Sequence, residues 1–107
     1  MGTASAHTDG NSALAYTLTP GHQYHFDEAR LTLANSASSV AENFTITLDS
    51  TYGSAYDVLL YKHDMSGVQD LHVVNTEETR YLVGDSLVFD WTNTSSYAWG
   101  LEVRYLT

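Results

Sequence analysis

The sequence has no cysteine, a single proline and few bases. The missing cysteines exclude disulfides, thiolate zinc sites and cysteine nucleophiles. Only 4 Lys and Arg stand against 13 Asp and Glu, a formal net charge of -9. That balance repels phosphate backbones and anionic membrane surfaces, so neither nucleic acid nor membrane is an expected partner. It favours solubility and leaves room for a basic partner or bound cations. Long hydrophobic runs are missing too, and no segment is long enough to span a bilayer. The opening MGTASAHTDGNS has no apolar core, so no signal peptide is expected.

With 107 residues, the chain has room for one domain and a modest core. Hydrophobic residues make up 43% and aromatics 12%, and eight of the aromatics are tyrosine. Tyrosine suits half-buried strands and interfaces, because its ring packs while its hydroxyl stays wet.

The dominant pattern has a period of two. Leu14, Tyr16 and Leu18 alternate with small or polar neighbours, and Pro20-Gly21 then marks a turn. Tyr24 and Phe26 lie on even positions but Ala29, Leu31 and Leu33 on odd ones; a bulge or a break between two strands accounts for the flip. Phe44, Ile46 and Leu48 mark a half-buried strand after a polar connection, residues 35–43, with room for a helical turn. Residues 56–65 are apolar on both faces through Val58, Leu59, Leu60 and Tyr61, which predicts a covered or central strand. Residues 71–75 form a short strand, and RYLVG leads into the Gly84-Asp85 turn. Leu87, Phe89 and Trp91, then Tyr97, Trp99, Leu101, Val103 and Tyr105, complete two closing strands.

About eight short strands at this spacing predict an all-β, single-domain antiparallel β-sandwich or jelly roll over residues 13–107. Residues 1–12 are small and polar. They read as a flexible N-terminal arm whose removal leaves the domain folded.

Chemistry-bearing constellations are weak. His22 and His25 face opposite ways on a strand, and His63 diverges from Asp64, so surface histidine is preferred to a metal site. Asp49 and Asp57 bracket a loop, but no D-x-D-x-D-G run accompanies them, and turn formation explains them better than calcium. No G-x-S-x-G elbow occurs. No enzyme and no cofactor is therefore expected. Trp91 and Trp99 lie in phase with the apolar ladders and are assigned to the core. Tyr52 and Tyr97, beside loops, are the candidate carbohydrate contacts. The polar side of the last strand, with Glu102 and Arg104, is the candidate interface.

The segments FTITLDS, YDVLLYKHDMSGVQDLHVV, YLVGDSLVFDWTN and YAWGLEV together resemble small β-sandwich proteins encoded among the virion structural genes of tailed bacteriophages. The resemblance covers roughly residues 20–105. It implies a structural virion component, most specifically a capsid decoration or cement protein. Its expected partners are phage capsid or tail proteins and copies of itself, with a trimer matching local threefold positions. The alternative is a carbohydrate-binding or host-adhesion module on a tail or head fibre.

Overall fold

The computed structural model describes residues 2–37, 41–77 and 79–107. Eight strands fill it: β1 (Thr3–Gly10), β2 (Leu14–Leu18), β3 (His25–Leu33), β4 (Asn43–Asp49), β5 (Val58–Asp64), β6 (Asp70–Val74), β7 (Ser86–Trp91) and β8 (Trp99–Leu106). Among the described residues the only helical element is one 3-10 turn, Ser54–Tyr56. The helical turn read over residues 35–43 falls partly on positions 38–40, outside the described residues.

The strands form two four-stranded antiparallel sheets, ordered β1-β8-β3-β6 and β2-β7-β4-β5. Apart from the β4–β5 hairpin, each connection crosses from one sheet to the other. This is the winding of a jelly roll, so the β-sandwich expectation holds.

The core follows from strand register. In the first sheet one inward row runs Ala6, Val103, Ala29, Val73, and the next Thr8, Leu101, Leu31, Leu71. In the second, Tyr16, Phe89, Ile46 and Tyr61 stand in one row. Between the sheets Leu101, Val103, Phe89 and Ile46 are almost wholly buried. Each such aliphatic or aromatic side chain contributes about 1.5–3 kcal/mol by leaving water. Trp91 and Trp99 are both buried, as their phase required. The flip between Phe26 and Ala29 is a bulge inside one continuous strand: β3 slips register against β8 between Phe26 and Glu28.

Two expectations need correction. Residues 3–10 are not a flexible arm but β1, paired along its whole length with β8 from Thr3↔Leu106 to Gly10↔Trp99. Its inward residues are small beside the large side chains of β8 in the same sheet, and the ladder hydrogen bonds offset its ordering entropy. Between β6 and β7, RYLVG contributes one bridge, Tyr24↔Tyr81. The segment rich in Val, Leu and Tyr is neither central nor covered. It is β5, the edge of its sheet, with Val58, Leu59 and Leu60 exposed.

Candidate functional site

The eight large apolar side chains that stand exposed among the described residues gather around that edge. Three are on β5 itself. Tyr52 and Tyr56 sit in the β4–β5 connection, Val74 ends β6, and Leu82 and Val83 occupy the turn before Asp85. Tyr52 and Tyr56, 71% and 64% exposed, meet edge to face with ring centroids 6.1 Å apart.

Local hydrogen bonds explain why this surface is held in shape. The Ser50 amide donates to Asp57 Oδ1 at 2.9 Å, closing the connection at its base. Within it, the Tyr56 amide donates to the Gly53 carbonyl and the Tyr52 amide to Ser50 Oγ. Asp85 then ties the connection to the neighbouring turn. Its buried carboxylate accepts the Thr51 amide (3.0 Å), the Thr51 hydroxyl (3.1 Å) and the Leu82 amide (3.0 Å). Burial pushes this carboxyl up, yet the Thr51 and Leu82 amides and the Thr51 hydroxyl outweigh it, and the group stays below the usual aspartate range. Gly84 completes the contact: its φ is +91°, and a Cβ there would meet Thr51 Cγ2 at 2.6 Å.

Beside β5 the surface is indented. A pocket of about 120 Å³ opens there, bounded by Leu60 on β5, Val74 on β6 and Tyr81 between them. The register of β5 on β4 slips between Ile46 and Thr47, so that Leu60 has no partner on β4. This bulge disturbs the alternation and contributes to the exposure of three successive apolar side chains.

The other residues singled out in the sequence lie elsewhere. Tyr97 is not a free ring. It packs against the core, stacks on Trp91 with planes 10° apart, and its backbone is bonded to the buried side chain of Asn93. It therefore joins no surface with Tyr52. Glu102 and Arg104 lie on the outer face of the first sheet, where Arg104 bridges Glu102 (3.3 Å) and Glu28 (3.6 Å), and Glu28 also meets His72 at 3.1 Å. Beside them a shallow hollow of about 260 Å³ lies over Gly100, flanked by His7, Arg30 and Thr32.

Among the described residues no three His, Asp or Glu side chains gather as a metal site would require. Asp57 and Asp64 instead accept the amides of Ser50 and Ser66 and shape turns. Glu42 is likewise a fastening: it takes the Thr94 hydroxyl and amide on Oε2 and the Trp91 indole N–H on Oε1. The Thr94 hydroxyl, against some desolvation, leads the contacts that hold this carboxyl below the usual glutamate range.

Fold and surface thus define a jelly-roll β-sandwich with one preorganised apolar edge. No family model matches the chain, and neither a curated protein nor a solved structure matches it.

Proposed function

We propose that the chain is a structural assembly protein that docks through its β5 edge. In the reading suggested by the phage resemblance it is a capsid decoration protein, binding capsid subunits and copies of itself. The observation that carries the proposal is the gathering of the exposed apolar side chains on one unpaired strand edge and its flanking loops. Such an edge offers backbone donors and acceptors for another strand together with apolar area to bury. Val58, Leu59, Leu60 and the two tyrosine rings leave several kcal/mol of burial still available at about 25 cal/mol per Å². A surface of this kind on an otherwise acidic, polar molecule marks an interaction site.

The test is quantitative mass spectrometry of purified virions, with heat challenge of particles that lack the chain. The proposal expects many copies per particle and lower heat resistance without it. Absence from the particle overturns the virion reading.

One observation favours the adhesion alternative: Tyr52 and Tyr56 present two adjacent exposed rings, suited to stacking on sugar faces. Glycan-array binding that is lost in Tyr52→Ala, with no copies in the capsid shell, would move the assignment to that class.

A further inference from the structure

We propose that β5 of one copy pairs antiparallel with β5 of a second copy, joining two four-stranded sheets into one eight-stranded sheet across a twofold axis. This deepens the assembly reading of the same edge and rests on it.

The sandwich has four strand edges, and three are protected. β1 carries His7 and Asp9 among small residues, β2 is short and runs into Pro20, and β6 carries Asp70 and His72. Charge, proline and brevity are the usual guards against edge-to-edge pairing. β5 has seven residues, no proline and, over Val58–Tyr61, no charge. Its guards are the bulge at Leu60 and, at its far end, Lys62, His63 and Asp64.

Charge selects the partner. The chain carries a net -9, yet residues 50–62 hold one acid, Asp57, and one base, Lys62. The 81–84 turn adds none. A basic partner gains no particular attraction from this neutral strip. A second copy can approach it without meeting its own excess charge, because repulsion between the remaining acids is screened beyond about 8 Å at physiological salt.

Charge also selects the register. Placing Leu59 opposite Leu60 puts Val58 opposite Tyr61 and Asp57 opposite Lys62. Twofold symmetry makes each of these pairs twice. A slip of one residue in one direction sets Asp57 against His63, and a slip of two sets it against Asp64 and Leu59 against Lys62. The opposite slip of one residue replaces Lys62 with Tyr61 as the partner of Asp57. Opposite charges across a strand pair stabilise it and like charges oppose it, so the first register is favoured. A stable interface buries about 1,200 Å² or more, beyond what one short ladder supplies. Tyr52 and Tyr56, held in place beside the start of β5, extend the contact.

The absence of cysteine makes the test clean. Analytical ultracentrifugation at tens of micromolar should give twice the chain mass, and Leu59→Lys should give the single mass with an unchanged circular dichroism spectrum. Oxidising a mixture of Leu59→Cys and Leu60→Cys chains should yield the mixed dimer in preference to either homodimer. A monomeric wild type, or an oligomer indifferent to Leu59→Lys, overturns the pairing. Virion occupancy of wild-type chain separates the two claims. A monomer that still decorates particles removes the pairing alone, whereas a Leu59-dependent dimer absent from particles removes the virion reading alone.

Discussion

Gly10 and Trp99 are register partners, and the indole lies close over the glycine: a Cβ on Gly10 would stand 3.1 Å from Cζ2 of Trp99. The same indole donates through Nε1 to the Ser12 carbonyl at 2.9 Å. The buried Asn93 side chain also donates to that carbonyl. The N-terminal segment is therefore part of the packed domain. Gly10→Val should overpack this site and cost about 1–3 kcal/mol in urea denaturation. Deleting residues 2–12 should go further, lowering the melting temperature sharply or abolishing cooperative melting. An unchanged transition in the deletion would mean that β1 adds nothing to stability.

Asp85 sets an acid limit. Its carboxyl is held below the ordinary range in the folded protein, so its contribution is present above the unfolded value, about 3.9, and is lost as pH falls through the folded value. Asp85→Ala should cost about 1–3 kcal/mol at neutral pH by stranding the amides of Thr51 and Leu82. The difference from wild type should shrink in strong acid. Stability curves for both proteins between neutral and acid pH would show the convergence.

Tyrosines set an alkaline limit. Burial raises the phenols of Tyr24, Tyr81 and Tyr16 above their usual value; nearby Asp85 and Tyr81 add to the effect at Tyr24. Tyr24 also donates its hydroxyl to the Asp85 carbonyl at 3.0 Å. Stability from these groups is complete below about pH 10, their unfolded range, and declines as pH rises through the folded values. Near-ultraviolet absorbance should therefore show exposed tyrosines ionising first and a second group ionising only as the protein unfolds.

On β8, neighbouring positions should respond in opposite ways. Leu101→Asp places a charge in the sandwich interior and should prevent folding, since Leu101 is about 1% exposed. Glu102→Ser or Arg104→Ser breaks only surface ion pairs and should shift stability by about 1 kcal/mol or less. Circular dichroism of the variants gives the comparison directly.

Much of this architecture is written in alternation. β2, β4, β7 and β8 each bury one face against the opposite sheet, so every second residue is apolar. The bulge in β3 announced itself as a change of phase. β1 was hidden because its inward positions, Ala4, Ala6, Thr8 and Gly10, are small beside Tyr105, Val103, Leu101 and Trp99, and at Gly10 the Trp99 indole leaves no room for a side chain. That size constraint leaves no contrast in hydrophobicity for periodicity to reveal. β5 misled for the opposite reason. Apolar residues on both faces signify burial in a central strand, but they also occur on an edge that awaits a partner, and sequence period does not separate the two. The near-neutral window from Ser50 to Lys62 in a chain of net -9 was the available clue. Tyr97 looked free beside a polar loop; its stacking on Trp91 depends on the positive-φ turn at Asn93, which composition does not disclose.

The pairing of β1 with β8 has a consequence for how the molecule is made. β1 leaves a ribosome long before β8, the strand with which it pairs. At about 5–20 residues per second the wait is on the order of ten seconds. During that interval β5 can zip onto β4 as a hairpin while the sandwich is still open. Contacts so distant along the chain also make for slow folding, in milliseconds to seconds. A nascent chain of this protein would thus carry Val58-Leu59-Leu60 bare before its fold is closed, and on crowded polysomes that tripeptide is where two unfinished copies would first stick together.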